Sequence, residues 1–527
     1  MKPFDASGAF QPTTGGLRRL AIRGAAVTVG CQGLALGVQI IATVVLARLL
    51  TPGDFGAVAM VTTFSLLLVN FGGNGLTEAV LKWERIDHAL ASNLFWINLG
   101  AGALLTVGFA AAGPLLRWFY GDARVTSIAV AISVTIFITS SSVIHLALLR
   151  RAMCFSAVSA NDILGRVASV AVSIFLGWAG WGYWALVAGI LALPLSTSIG
   201  AFILCRWTPS LPRRVEGTAD IVRFAMHVYG QFSVNYFARN TDNLLVGWRF
   251  SAQALGFYKK AYDLFALSTG QLVGPLTVVA VSALSRLSQN SIQYKRYLLS
   301  SLGVMAFVGM GVGADLTLIG KDIIRLLLGP GWEESGRIFT YFGPGIGLML
   351  LYGTHGWIHL SIGRPDRWFR WGILEFTVTS FLFLVALPWG PVGIAVAWTA
   401  SFWVLTIPAF WYAGKPIQLD VKSVCAEVWR YVFASFLAGF AAAATVRNVP
   451  FFFAVSGAKE ALGRILMTSI LFGSLYLGLI IVLHGGCAPL YKFVGILGEI
   501  VPFQKLRGTS SNVVSASQVS ARPSYPG

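Results

Sequence analysis

The sequence predicts an all-α polytopic membrane protein with about 14 transmembrane helices: two pseudo-symmetric six-helix lobes followed by two C-terminal helices. Composition is the first reason. Of 527 residues, 56% are hydrophobic and only 11% charged, where a soluble chain carries about a quarter charged. Mean hydropathy is +0.72. The second reason is spacing, since apolar stretches of about 20 residues recur along the whole length. The third is an internal repeat, described below.

Taken in order, residues 1–24 are polar and Gly-rich, with Arg18, Arg19 and Arg23 ahead of the first apolar run. That run is too long for a signal-peptide core and no small-residue cleavage site follows it, so it reads as a retained first helix after a cytoplasmic N-terminal segment. The expected spans are 25–50, 54–76, 93–116, 125–149, 155–179 and 181–205, an N-lobe over 25–205. A cytoplasmic linker, 206–223, leads to a C-lobe over 224–413, with spans 224–249, 256–283, 298–319, 336–361, 368–388 and 391–413. Residues 414–484 hold two extra helices, 430–446 and 463–484, and 485–527 form a cytoplasmic tail. The end of that tail, GTSSNVVSASQVSARPSYPG, has no apolar period and reads as disordered.

The net charge of +18 could point to nucleic acid, but no basic run interleaved with aromatics is present. The positive-inside bias accounts for it. With both termini in the cytoplasm, 25 of the 39 Lys and Arg fall in inner segments and 12 in outer ones, leaving Arg166 and Arg239 within helices. Cys31, Cys154, Cys205, Cys425 and Cys487 all map to inner loops or inner helix ends, in spacings that suit neither disulfides nor a metal. No nucleophile elbow, P-loop or metalloprotease motif occurs, so no cofactor is expected and ATP is not the direct energy source.

The repeat shows in three matches. LARLLTPGDFGAVAM (46–60) pairs with VGWRFSAQALGFYKK (246–260), aligning Gly56 with Gly256. PLLRWFYGDARV pairs with DIIRLLLGPGWE, Arg117 with Arg325 and Gly121 with Gly329. GWAGWGYWALV pairs with LPWGPVGIAVA, Gly180 with Gly390. The offset drifts from 200 through 208 to 210. Six helices per unit put both units in the same orientation, with a pseudo-two-fold axis along the membrane normal and a substrate site between them.

The seventh span contains VNYFARNTDNLLVGWRF (234–250), a polar run inside apolar flanks. At about 100° per residue, Gln231, Asn235, Arg239 and Asp242 fall within roughly 80° of one another. On the first helix Thr28, Gln32, Gln39 and Thr43 share a face, and Gln39 is the repeat partner of Arg239. A charge near the bilayer centre costs about 2.5–3.5 kcal/mol, so two on one face have either a wet cavity or each other. The first reading is a central cavity lined by the first and seventh helices. The second is a self-neutralising Arg239–Asp242 pair at i, i+3. Arg166, about three turns into the fifth helix, faces the cavity or snorkels. Glu375 is expected at the inner interface and Asp315 near the outer end of the ninth helix. His355 and His359, four apart in THGWIHL, lack the further ligands a metal needs.

The stretch LARLLTPGDFGAVAMVTTFSLLLVNFGGNGLTEAVLKWERIDHALASNLFWINL resembles the polysaccharide-transporter family, the lipid-linked oligosaccharide flippases of the MATE-like exporter superfamily. TDNLLVGWRFSAQALGFYKKAYDL with GPLTVVAVSALSRL is similar to the family's seventh and eighth helices, and the resemblance covers about residues 20–415. It implies alternating access by two lobes in the bacterial inner membrane, with a lipid-pyrophosphate-linked glycan as substrate. The implied partners are membrane lipids and the polymerase and glycosyltransferases of the same pathway. Arg239, helped by Arg166, would meet the pyrophosphate, with Asn235, Gln39 and Gln32 lining the cavity. Asp242, which departs from a purely cationic site, is the candidate for a coupling proton or sodium ion. A cation-coupled small-molecule antiporter of the same superfamily would favour carboxylates on the first helix, which offers Gln and Thr. A membrane-embedded glycan polymerase or ligase would carry a large outer loop, and the outer loops here are short.

Overall fold

The computed structural model describes residues 1, 3–5, 7–10, 17–73, 75–83, 86–448, 458–491 and 493. Of these, 17–26, 29, 235, 268–275, 278–279 and 458–459 are described by their backbone alone. The expected disordered tail lies outside the described residues. The chain forms α1 (Leu17–Leu49), α2 (Pro52–Gly73), α3 (Leu76–Lys82), α4 (His88–Ala111), α5 (Gly113–Tyr120), α6 (Arg124–Arg151), α7 (Phe155–Trp178) and α8 (Tyr183–Leu204). It continues with α9 (Thr218–Arg249), α10 (Ala252–Leu287), α11 (Ser291–Leu328), α12 (Glu333–Gly353), α13 (His355–Ser361), α14 (Pro365–Ala386), α15 (Gly390–Gly414), α16 (Val421–Asn448) and α17 (Ala458–His484). Among the described residues, ten stretches are long and apolar enough to cross a membrane. α9 is not among them, because Arg223, His227, Gln231, Arg239 and Asp242 interrupt its apolar run.

The helix ends differ from the expected spans for identifiable reasons. The third span divides into α4 and α5 where Pro114, lacking an N–H, cannot bond the carbonyl four residues back. The second ends early, and α3 restarts after Gly75, whose φ of +127° is outside the helical region. The exposed Glu78 carboxylate accepts the Gly75 N–H at 2.5 Å and so caps the new helix. The tenth breaks at Thr354, which moves both histidines onto α13. Elsewhere helices outrun the apolar windows. At about 1.5 Å per residue α11, with 38 residues, spans about 57 Å, far beyond the ~30 Å hydrocarbon layer.

Two boundaries of the N-terminal and linker segments also move. α1 begins at Leu17 and α9 at Thr218, inside the stretches assigned to the cytoplasmic segment and the linker. Nor are the first ten residues a free tail. The Arg206 N–H donates to the Met1 carbonyl at 2.9 Å, and Phe4 packs edge-on against His88 and beside Trp207. Apolar side chains met by an aromatic shelf hold this segment down.

Helices α1–α8 pack on one another around α2 and α6, and α9–α15 around α10, α12 and α15. α16 and α17 lie against α11, where Arg464 bridges Asp322 at 2.6 Å, the Tyr476 hydroxyl donates to the Phe307 carbonyl, and Ser469 donates to Asp315. The end of the molecule carrying the α1–α2 and α9–α10 turns is here the turn end; the end carrying the α8–α9 connection is the linker end.

The repeat-paired glycines meet each other at the turn end. A Cβ on Gly56 would lie 1.6 Å from the Ala252 carbonyl oxygen, and one on Gly256 would lie 1.8 Å from that of Pro52. α2 and α10 therefore cross backbone to backbone. Beside the crossing the end of α1 reaches over to the second bundle: Arg48 donates to the Leu326 carbonyl at 3.0 Å, and Trp332 Nε1 donates to that of Ala47 at 2.8 Å. The end of α9 reaches the first bundle in the corresponding way, with Gly247 against Tyr120 and Trp248 stacked on Phe119. Gly121 and Gly329, the second repeat pair, close α5 and α11 with φ of +70° and +88°. In the turn after α5, the hydrogen bond from Arg124 holds the Asp122 carboxyl below its usual range. At the linker end the bundles touch again, where Gly75 meets the Ala225 carbonyl.

Candidate functional site

Along α9, Tyr236, Arg239 and Asp242 step round the helix by about 60° each. Tyr236 faces the first bundle and donates to the Thr63 carbonyl of α2 at 2.8 Å; one face-repeat earlier Tyr229 donates to Leu67 at 3.0 Å. Asp242 faces the core of the second bundle and is fully buried. Its Oδ2 accepts from the Tyr258 hydroxyl of α10 at 2.7 Å and from Trp398 Nε1 of α15 at 2.9 Å, and Asn243 donates to Oδ1 at 3.3 Å. Arg239 lies between these two faces, exposed, with no hydrogen bond or ion pair among the described residues. Asp242 and Arg239 thus share a helix but not a face, and the i, i+3 ion pair does not form.

The carboxylate nearest in effect to Arg239 is Glu375 of α14, which lies within its electrostatic reach. Glu375 adjoins the hydroxyl of Tyr352, which also accepts from Trp371 Nε1 at 2.7 Å. The expected shallow, interface-facing Glu375 is therefore half-buried beside Tyr352, because α14 packs against α9. In ionised form, Asp242 has two charge-assisted hydrogen bonds at about 1.5–3 kcal/mol each to offset a burial cost of about 2.5–3.5 kcal/mol.

On the first bundle Gln32 and Gln39 are exposed on α1, and Thr28 meets Ser159 of α7 at 3.3 Å. Arg166 is exposed on α7, in electrostatic contact with half-buried Asp162 one turn earlier. No hydrogen bond among the described residues joins Gln32, Gln39 or Arg166 to Arg239. Asn235 lies on α9, and its side chain is outside the described residues. His355 and His359 are both buried on α13, with His355 Nδ1 at the Tyr352 carbonyl.

The sequence reading missed Asp162, Tyr258, Trp398 and the role of Glu375. The i, i+4 spacing of Asp162 and Arg166 was a usable signal. Tyr258 follows Asp242 by 16 residues and Trp398 by 156, separations at which no local pattern operates.

Two helical bundles that exchange helix ends, with ten candidate apolar spans among the described residues, define a multi-pass helical membrane protein. Over residues 45–337 the chain matches the family described as polysaccharide biosynthesis protein, and it belongs to that family. It is 20% identical to the succinoglycan biosynthesis transport protein ExoT of Rhizobium meliloti (strain 1021), over 65% of this chain and 70% of that one. It is 19% identical to the lipopolysaccharide biosynthesis protein WzxC of Escherichia coli (strain K12), over 76% and 82%. The fold is similar to the lipid II flippase MurJ in its inward closed conformation, with a TM-score of 0.70 at 12% identity, covering 88% of this chain and 99% of that one.

Proposed function

We propose that this chain is a secondary transporter. It moves a lipid-pyrophosphate-linked oligosaccharide across the bacterial cytoplasmic membrane by alternating access, for the building of a surface polysaccharide. The observation that carries the reading is Arg239, exposed without an ion pair between two bundles of a polysaccharide biosynthesis family member. The names of the relatives, one a succinoglycan transport protein and one a lipopolysaccharide biosynthesis protein, support the substrate class.

In this reading the two lobes, α1–α8 and α9–α15, rock about the α8–α9 connection, with both termini in the cytoplasm. The Arg239 guanidinium forks onto the pyrophosphate, with Glu375 within its electrostatic reach. Gln32, Gln39 and Asn235 offer hydrogen bonds to the glycan, and Arg166 turns from Asp162 to the substrate. Asp242, behind the cavity wall, takes the coupling ion. No covalent bond is made or broken. Polymerase and glycosyltransferases of the same pathway act before and after it.

The test is flipping of a fluorescent lipid-linked glycan in proteoliposomes with imposed pH, sodium or voltage gradients. Wild type should flip without ATP. Arg239→Ala should lose about tenfold or more, the equivalent of one hydrogen-bonded charge, and Arg239→Lys should keep part of the rate. Asp242→Asn should bind substrate yet ignore the gradient. Flipping that requires ATP, or a wild-type rate in Arg239→Ala, overturns the reading.

A further inference from the structure

The connection from α8 to α9 is pinned along its length to α4. Ser210 N–H donates to Ser92 Oγ at 3.0 Å, and Trp96 Nε1 donates to the Ser210 carbonyl at 2.8 Å. Buried Asn93 takes both backbone groups of Arg213, donating to its carbonyl at 2.6 Å and accepting its N–H at 2.9 Å. This fixes Arg213 and Arg214 at the mouth of a groove of about 1080 Å³ between α4 and the first turns of α9. Arg223 lines the α9 wall, and Trp96 and Ile97 form an exposed apolar wall on α4. Arg213, Arg214 and Arg223 make no ion pair among the described residues, and Glu216 is the one acid in the lining. The site thus holds a net surplus of two positive charges beside exposed tryptophan and isoleucine.

We infer that this groove binds the phosphate headgroup of an anionic phospholipid from the surrounding leaflet, with the acyl chains running over Trp96 and Ile97. Guanidinium forks match phosphate oxygens, and a basic pocket between helices with an apolar flank is the chemistry of a headgroup site. The occupant is a resident lipid, not the transported one. Arg223 precedes Arg239 by 16 residues, which at about 100° each puts the two arginines roughly 160° apart around α9, so the groove and Arg239 are on opposite sides of that helix. One wall belongs to α4 and the other to α9, so the lipid ties the two bundles together at the linker end. The inference stands apart from the transport reading, because a headgroup is held or not whatever the cargo.

The experiment uses the purified full chain in detergent, titrated with phosphatidylglycerol or phosphatidylcholine of identical acyl chains. Retained lipid is counted by native mass spectrometry, and thermal stability is followed in parallel. Wild type should retain phosphatidylglycerol about tenfold better at low salt, with the preference shrinking as salt rises. Arg213→Ala with Arg214→Ala should reduce retention to the phosphatidylcholine level, Arg213→Lys with Arg214→Lys should keep part of it, and Arg117→Ala at the turn end should change nothing. Equal retention of the two lipids by wild type, a measurement that needs no variant to fold, overturns the inference. So does an unchanged preference in the double alanine variant. Displacement of phosphatidylglycerol by an equimolar polyprenyl pyrophosphate would make the groove a substrate site and overturn it as well.

Discussion

Asp242 shows how far a single buried carboxylate depends on groups distant in sequence. Tyr258 and Trp398 both donate to one of its oxygens. Replacement by Leu strands these two donors in an apolar core, at about 1–3 kcal/mol each. Replacement by Asn keeps an oxygen acceptor for both. Thermal unfolding in detergent should therefore rank Asp242→Asn close to wild type and Asp242→Leu well below it. Equal midpoints for the two variants would show that the hydrogen bonds do not hold this region. The polar stripe on α9 was legible in the sequence because a helical period is local. Its division into three faces was not, since which face a residue presents to which neighbour is decided by α2, α10 and α15. The same limit hid the surroundings of Glu375, which is 136 positions beyond Arg239 and comes within its electrostatic reach only because α14 lies against α9.

At the scale of elements, the crossing of α2 and α10 explains why the repeat has glycine at position 56 and again at 256. The crossing leaves no room for a Cβ on either helix. Around it, Lys260 lies 4.0 Å from the centre of the Phe55 ring, and Phe55 packs edge-on against Trp332. Gly56→Leu should hold the crossing apart. The protein should still insert, since the helices keep their packing within each bundle, but the turn end should stay open and transport should stop. In a cysteine-free background, Ala252→Cys, buried at the crossing, should react with a maleimide much faster when Gly56→Leu is present. Unchanged reactivity would mean that the crossing tolerates the side chain. Alignment of the two glycines could be read from sequence; that each abuts the other's helix could not. Apolar windows likewise found the long helices but passed over the breaks at Pro114, Gly75 and Thr354, because hydropathy averages are blind to a missing N–H or a positive φ.

For the whole molecule, the distribution of charge makes a claim about orientation that the fold alone does not make. Inner segments carry about twice the Lys and Arg of outer ones, and the bias acts through short loops near the helix ends. In the proposed topology the linker end, with its groove of Arg213, Arg214 and Arg223, is in the cytoplasm, and the α2–α10 crossing is outside. A flippase for precursors assembled on the cytoplasmic leaflet requires this orientation, so the topology is a condition of the proposed direction of transport. Single cysteines in a cysteine-free chain provide the check. Leu211 is exposed at the linker end and Gln253 at the turn end. In intact cells an impermeant thiol reagent should label Gln253→Cys and leave Leu211→Cys untouched until the membrane is permeabilised. The opposite pattern would invert the molecule and reverse the transport direction argued from it. Labelling of both sites in intact cells would mean that α9, the one helix between them, does not carry the chain across the membrane.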